Sequence, residues 1–415
     1  MSTIVQKYGG TSMGSTDRIK NVARRVAKWH RAGHKMVVVV SAMSGETNRL
    51  IALAKEIMPN PDPRELDVIA STGEQVSIGL LAMALKAIGV EAVSYNGTQV
   101  GVHTDSAYTK ARIESIDAGP IQSALDAGKV VIVAGFQGQD PEGNVTTLGR
   151  GGSDTSAVAL AVALHADECL IYTDVDGVYT TDPRIEPKAR RLRVLSSEEM
   201  LELASLGSKV LQTRSVEFAD KYKMPIRVLS SLTDPDMPLS EEENSGTLIT
   251  VNENHTMEKP LISGIAFTKA EAKITLIKVP NIPGVAYKIL GPIEHHNIDI
   301  DMIVQNVGLD GTTDFSFLLP RSDLDNALKI IREEIYPQTG ELDVHTSTSV
   351  AKVSLVGVGM RTHANVASTA FEALAKEGIN ILMIGTSEIK LSIVIEDKYM
   401  ELAVRALHEA FGLDK

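Results

Sequence analysis

Lys7-Tyr8-Gly9-Gly10-Thr11-Ser12 follows a short apolar run, Ile4-Val5, and opens onto a helical pattern. The same order recurs at Gly149-Arg150-Gly151-Gly152-Ser153-Asp154, which stands before the apolar helical stretch Thr155–Leu164. A strand that ends in glycines and turns into a helix leaves bare backbone N–H groups at the helix start, where an anion is favoured. Each segment adds one cation, Lys7 or Arg150. Two such cradles on one chain suit a protein that brings two anionic molecules together.

Outward from these segments, β-like runs alternate with helical patterns up to about residue 230. The runs are Ile4-Val5, Met36–Val40, Glu91–Tyr95, Val130–Ala134, Glu168–Thr173 and Ile226–Leu229. They are short and rich in Val and Ile, which suits strands covered on both faces. Between the first two lies a helix near Thr16–His30, with Ile19, Val22, Val26 and Trp29 on one stripe and Arg and Lys on the other face. Alternation of this kind predicts an α/β fold with a mostly parallel sheet and helices on both sides. Asp140-Pro-Glu-Gly-Asn144 within Gly138–Thr147 is a turn signal and predicts a hairpin beside that sheet.

Prolines and the acidic triplet Glu241–Glu243 mark Thr233–Pro260 as linker-like, with a short strand candidate at Thr247–Thr250. Beyond it the chain repeats itself at an offset of about 80 residues. Lys273-Ile-Thr-Leu-Ile and Asn297-Ile-Asp-Ile-Asp-Met-Ile303 align with Lys352-Val-Ser-Leu-Val and Gly378-Ile-Asn-Ile-Leu-Met-Ile384. Each copy reads strand, turn, helix, strand, strand, helix.

Composition narrows the function classes. A chain of 415 residues predicts two or three domains. The net charge of −12 argues against nucleic acid or an acidic membrane as partner, so any anion site is a local positive pocket in a negative field. One cysteine, Cys169, excludes an internal disulfide framework and sits in an apolar run that suits a buried thiol. No charged-then-apolar signal segment opens the chain, and the uncharged apolar stretch near Thr155–Ala166 is too short to span a bilayer. The expectation is a soluble cytoplasmic protein.

Several side chains follow strand ends, where ligands bind in open α/β sheets. Lys7 either neutralises a phosphate as a point charge or is a surface lysine beside a tight turn. Arg150 offers a planar fork for a carboxylate. Asp154 either caps its helix or orients cationic catalytic groups. Ser41-Ala-Met-Ser-Gly45-Glu-Thr47 supplies small hydroxyls or is a generic turn. Thr72-Gly73-Glu74 reads as a break between two helices, where Glu74 either holds an ammonium or starts the second helix. Thr173, Asp174, Tyr179, Asp182 and Arg184 lie in one polar segment that either serves adenine and ribose or is a surface loop. Gly207-Ser-Lys209 reads as a helix start that aims a second cation at phosphates or leaves it solvated. The cluster Lys188, Arg190, Arg191 and Arg193 reads as a wet face. No Walker A pattern occurs, and Gly357-Val-Gly359 lacks the third glycine of a dinucleotide fingerprint.

Lys-Tyr-Gly-Gly-Thr-Ser, Ser-Ala-Met-Ser-Gly, Ser-Thr-Gly-Glu, Gly-Arg-Gly-Gly-Ser-Asp-Thr-Ser and Thr-Asp-Val-Asp-Gly-Val-Tyr occur here in the order seen in aspartate kinases. The chain resembles the monofunctional members of that family, and the repeats resemble their tandem ACT domains. Tyr8 stands where many members have Phe. The resemblance implies an amino-acid-kinase (carbamate-kinase-like) three-layer αβα domain over residues 1–245 and a linker over 246–261. Two ferredoxin-like βαββαβ ACT domains follow, the first over 270–346 and the second from 262–269 and 347–415.

By the same resemblance, ATP with Mg²⁺ is bound by Lys7, Gly9, Gly10, Thr173, Asp174, Tyr179, Asp182, Arg184 and Lys209. L-Aspartate is held by Ser41, Thr47, Glu74, Arg150, Gly151, Gly152 and Ser153. Lys7, Asp154 and Lys209 carry the catalysis, and no metal ligands are assigned. Lysine, threonine or both are implied as effectors, bound by Asn281, Gly284, Ala286 and Gln305 of the first repeat facing Asn380, Ile381, Ser387 and Glu388 of the second. A homodimer through the ACT domains or a higher oligomer follows, with an internal start at Met257 for a separate regulatory subunit as a further implication. A kinase for glutamate or acetylglutamate is disfavoured because those relatives lack tandem ACT repeats. A silent amino-acid sensor would show degenerate cradles, whereas Lys7, Arg150, Asp154 and Lys209 are all present.

Overall fold

The computed structural model describes residues 2–208, 210–250, 261–362 and 365–415. Two compact units result: Met1–Tyr179 with Arg191–Met257, and Thr180–Arg190 with Glu258–Lys415.

The first unit is built on an eight-stranded sheet. Its order is Val194–Ser196, Thr247–Thr250, Ile226–Ser230, Glu168–Thr173, Thr3–Tyr8, Lys35–Val40, Val130–Ala134, Ala92–Tyr95. The last six run parallel, while Thr247–Thr250 pairs antiparallel with Ile226–Ser230 and carries Val194–Ser196 parallel to itself. Met36, Val37, Val38, Val39 and Val40 are all fully buried. Removing each such side chain from water contributes about 1.5–3 kcal/mol. Tyr8 lies level with Val40 on one side and Tyr172 on the other, and the same row continues to Ala134 and Leu229. The loops after five strands therefore leave the sheet at one height, and this aligns the glycine turns.

The first helix, Thr16–Arg31, begins where the Ser15 side chain accepts the Arg18 N–H. Ile19, Val22, Val26 and Trp29 are buried as their spacing predicts. Arg25, assigned to the wet face of that helix, is buried as well. It pairs with Glu242, which also takes the Tyr172 hydroxyl at 2.9 Å, the Trp29 Nε1–H at 3.2 Å and Lys28 Nζ at 2.6 Å. The acidic stretch read as linker thus holds a buried anchor, and Thr247–Thr250 is an inner strand of the main sheet, between Val194–Ser196 and Ile226–Ser230.

Gln137–Gln139 and Val145–Thr147 form the expected hairpin, closed where the Asp140 N–H meets the Asn144 carbonyl at 3.0 Å. They join Val102–Thr104 and Ile113–Ile116 in a separate four-stranded sheet. Thr72-Gly73-Glu74 is not a helix break. It lies inside one 25-residue helix, Pro63–Ala87. That helix is long and apolar enough to cross a membrane by length and composition. Its inward face, however, carries buried Asp67, Ser71, Glu74 and Ser77, which marks a core helix of this unit. Gly207-Ser208 follows the Ser197–Ser205 helix rather than starting one.

The second unit holds two four-stranded antiparallel sheets. One has the order Asp301–Val307, Thr312–Pro320, Glu271–Pro280, Asp343–Ser347. The other has Gly264–Thr268, Val350–Val356, Lys390–Glu396, Met383–Thr386. Helices Val285–His295 and Leu324–Ile330 pack on the first sheet, and Val366–Lys376 and Met400–Ala410 on the second. The chain segment before the first repeat, Gly264–Thr268, pairs with the second repeat's Val350–Val356.

Candidate active site

Lys7 is the last residue but one of the Thr3–Tyr8 strand, and Asp154 stands in the first turn of the Gly152–Ala163 helix. The Lys7 ammonium lies 2.5 Å from the Asp154 carboxylate, and both side chains are about nine-tenths buried. The two glycine cradles therefore meet at one buried ion pair. Gly9 and Gly10 keep the approach open: a Cβ on Gly9 would sit 3.4 Å from Lys7 Nζ, and one on Gly10 3.2 Å from the Ala42 carbonyl. The Gly9 N–H also reaches the Tyr172 carbonyl, tying the first cradle to the next strand end.

The Ser41 and Ser153 hydroxyls are 2.8 Å apart. The Ala42 N–H donates to Glu74 Oε1 at 3.0 Å, whereas Oε2 is buried with no hydrogen-bond partner among the described residues. Burial pushes Glu74 up to about 7, against the opposing pull of the Ala42 N–H. A buried carboxylate with one free oxygen suits a cationic guest. Gly10, Thr11, Ser41, Ser44, Thr47 and Asp174 line a cleft of about 430 Å³. Thr47 lies in the first turn of Glu46–Ile57, whose cap, Gly45, has φ of +80°.

Gly151, with φ of +69°, caps the Gly152–Ala163 helix, and Arg150 is exposed just before it. Two residues that the sequence analysis did not single out hold this turn. Asp67, buried on the Pro63–Ala87 helix, accepts the backbone N–H groups of Thr109 and Thr147 at 2.9 and 2.8 Å and the Thr147 hydroxyl at 2.6 Å. Arg214 donates to the carbonyls of Leu148 at 3.0 Å and Ala111 at 2.9 Å. No local sequence signal marks either residue, since their partners are distant in the chain.

Thr173 ends the Glu168–Thr173 strand and Asp174 follows it, and the Thr173 carbonyl accepts from both the N–H and the hydroxyl of Ser231. Ser231, also missed, accepts in turn from the Ser12 hydroxyl at 2.7 Å. Tyr179 turns its hydroxyl to Asp176 at 2.9 Å. Asp182 and Arg184 belong to the second unit, where the Arg184 guanidinium grips the Asp182 carboxylate and holds it below the usual carboxylate range. Lys209 lies outside the described residues, as do Met257 and most of the 246–261 linker.

In the second unit, Gly284 caps Val285–His295 with φ of +87°, and Asn281 and Ala286 flank that cap. Gln305 lies on the edge strand Asp301–Val307. Asn380 and Ile381 precede the edge strand Met383–Thr386, with Ser387 and Glu388 in the turn after it.

A family model for the amino acid kinase family matches residues 2–230, and ACT domain models match residues 273–335 and 353–411. The chain is 63% identical to an aspartate kinase of Stutzerimonas stutzeri over 414 residues, covering all of this chain and 98% of that one. It is equally, 63%, identical to an aspartokinase of Pseudomonas aeruginosa, again over all of this chain and 98% of the other. Its fold is similar to that of Escherichia coli aspartokinase III in complex with aspartate and ADP. The TM-score is 0.80 at 27% identity, over 98% of this chain and 99% of that one. The same enzyme in complex with lysine and aspartate gives a TM-score of 0.75. With the amino-acid-kinase fold followed by two ACT domains, and with relatives of this identity along its whole length, the chain belongs to the aspartate kinase family.

Proposed function

We propose that the protein transfers the γ-phosphoryl group of ATP to the side-chain carboxylate of L-aspartate, forming 4-phospho-L-aspartate and ADP. The observation that carries this is the buried Lys7–Asp154 pair where the two glycine cradles meet. A carboxylate oxygen attacks the γ-phosphorus, the bond to the β-phosphate oxygen breaks, and ADP leaves. The attacking carboxylate is already ionised, so no general base is needed. What limits the reaction is bringing an anion onto a polyanion, and this calls for positioning and charge neutralisation.

Lys7 neutralises phosphate oxygens, Asp154 orients Lys7, and Lys209 supplies the second cation. Thr173, Asp174 and Tyr179 take the adenosine and phosphates beside Gly9 and Gly10. Glu74 takes the α-ammonium of aspartate and Arg150 a carboxylate, with Ser41, Thr47, Gly151, Gly152 and Ser153 around them. Mg²⁺, when bound with the ATP phosphates, would supply further charge neutralisation. Among the described residues no group of three or more His, Cys, Asp or Glu is placed to hold a metal alone.

The product opens the cytoplasmic route to lysine, threonine and methionine, and lysine, threonine or both lower the activity at the ACT domains. The complex of Escherichia coli aspartokinase III with lysine supports that regulation. Asn281, Gly284, Ala286 and Gln305 face Asn380, Ile381, Ser387 and Glu388 around the effector, in a homodimer or higher oligomer. The exposed side chains of Ile303 and Val307 on the Asp301–Val307 edge strand support assembly through the first repeat. The test is aspartate-dependent trapping of acyl phosphate with hydroxylamine, repeated with lysine, threonine and both. Hydroxamate that falls with an effector is expected. Absence of hydroxamate, with lysine or threonine still bound, would reduce the protein to a sensor.

A further inference from the structure

Arg150 stands on a turn closed across it by one backbone hydrogen bond, from the Gly152 N–H to the Gly149 carbonyl at 3.0 Å. Gly149 and Gly151 on either side have φ of +78° and +69°, and the Arg150 side chain is exposed. The backbone on either side of that turn is also held from behind by two charged side chains of opposite sign. Asp67 takes the N–H groups of Thr109 and Thr147, and Arg214 takes the carbonyls of Ala111 and Leu148. The two strands of backbone so gripped are also joined where the Ala111 N–H meets the Thr147 carbonyl at 2.9 Å. Thr109 has φ of +68°, a strained value for a β-branched residue, and the Asp67 carboxylate holds it there. A Cβ on Gly149 would lie 3.0 Å from the Thr109 carbonyl, so the clamped segment directly supports the turn.

Asp67 shares a helix face with Glu74, two turns further on. One rigid helix therefore fixes both the loop that receives the Glu74 carboxylate and the loop that presents Arg150. We propose that Asp67 and Arg214 are positioning residues that set where Arg150 meets the acceptor's carboxylate, and so set the affinity for the acceptor rather than for the nucleotide. This rests on Arg150 binding the acceptor as described under the proposed function. Charge-assisted hydrogen bonds of this kind are short and directional, and a displacement of about 1 Å in a positioning group can cost about 100-fold.

The experiment is steady-state kinetics on the full chain, varying aspartate and ATP in turn, for wild type, Asp67→Asn, Arg214→Lys and Arg150→Lys. Asp67→Asn and Arg214→Lys are expected to raise KM for aspartate about 10–100-fold while leaving KM for ATP within about twofold. In Arg214→Ala, millimolar guanidinium is expected to bring KM for aspartate back toward wild type. If Arg150→Lys alone raises that KM, the clamp is overturned and the acceptor site stands. If Arg150→Lys also leaves it unchanged, the assignment of Arg150 falls, and the clamp with it. Equal loss for both substrates would make the pair merely structural and overturn the proposal. Should Asp67→Asn fail to fold, the Arg214 variants decide by the same split and the same rescue.

Discussion

Lys7 Nζ and Asp154 Oδ1 sit 2.5 Å apart, one at a strand end and the other in the first turn of a helix far along the chain. The pair joins the two cradles, so loss of either member disturbs both. Removing a preorganised charge stabiliser costs about 10²–10³-fold in kcat, or about 2.7–4 kcal/mol. Lys7→Ala is expected to lose that much, whereas Asp154→Asn, which keeps its shape, is expected to lose about tenfold. The double variant should fall well short of the product of the two losses, because the residues act as a unit. Hydroxamate formation at saturating substrates measures this. A Lys7→Ala enzyme within tenfold of wild type would remove Lys7 from the reaction.

Glu74 is expected to give the free enzyme a pH dependence. Its carboxyl is pushed by burial from an ordinary 4.5 to about 7, and the ionised form is the one that attracts an ammonium. kcat/KM for aspartate is therefore expected to climb with pH and level off above about 7. Glu74→Gln should lose that limb and raise KM. The stability effect has the opposite sense. Between about 4.5 and 7 the folded chain keeps a proton that the unfolded chain releases, so stability without substrate falls as pH rises through this window. Urea titrations at pH 5 and pH 8 should show the difference, and Glu74→Gln should abolish it.

How far the sequence reaches is clear from contrasts within this site. Lys7-Tyr-Gly-Gly and Gly149-Arg-Gly-Gly are legible because strand, glycine turn and helix start are adjacent in the chain. The parallel strands are legible because burial on both faces makes their composition uniform, and the second-unit repeats because they copy one another. Arg25 and Glu242 are not legible. They are 217 residues apart, and each alone looks like a solvated charge. Asp67 is hidden in the same way, 80 residues from Thr147. For Glu74 the local reading of a helix break is incorrect. Glycine and threonine beside it suggested a helix break, but packing of one long helix overrides that propensity.

Glu242 offers a test of the buried anchor. Its carboxylate meets Arg25, Lys28, the Trp29 Nε1–H and the Tyr172 hydroxyl. Removing its charge leaves the Arg25 guanidinium buried and unpaired, which costs about 3–5 kcal/mol. Glu242→Gln is expected to lose that in urea unfolding. A loss below about 1 kcal/mol would mean that water or a neighbour compensates Arg25.

Two glycines with similar backbones are expected to respond differently to alanine. Gly151 has φ of +69°, and its Cβ would meet the Gln212 side chain, which can swing away. Gly151→Ala should cost about 1–2 kcal/mol of stability for the left-handed backbone and raise KM for aspartate. Gly246 has φ of +74°, but its Cβ would fall 2.0 Å from the Val228 carbonyl, which is held in the central sheet. Gly246→Ala should therefore lose more stability than Gly151→Ala, because backbone there has nowhere to move. Equal melting losses for the two would contradict the contrast.

Lys352 ties the two sheets of the second unit together. It is buried in Val350–Val356, lies 2.8 Å from Glu271 and pairs also with Asp301, both on strands of the other sheet. Burial by itself would lower its pKa, but Glu271 and Asp301 outweigh burial and raise it above the ordinary 10.5. The stabilisation is therefore fully present below about 10.5 and is lost as pH rises through the folded value. Lys352→Met leaves two carboxylates without their cation, one of them, Glu271, largely buried. The expected loss is about 3–5 kcal/mol. Adding Glu271→Gln and Asp301→Asn should recover part of it, because the cost lies in the unpaired charges. Calorimetric melting of the three variants at neutral pH and above pH 10 measures both effects. A Lys352→Met protein as stable as wild type, with an unchanged alkaline limb, would show that this cluster contributes nothing to holding the repeats together.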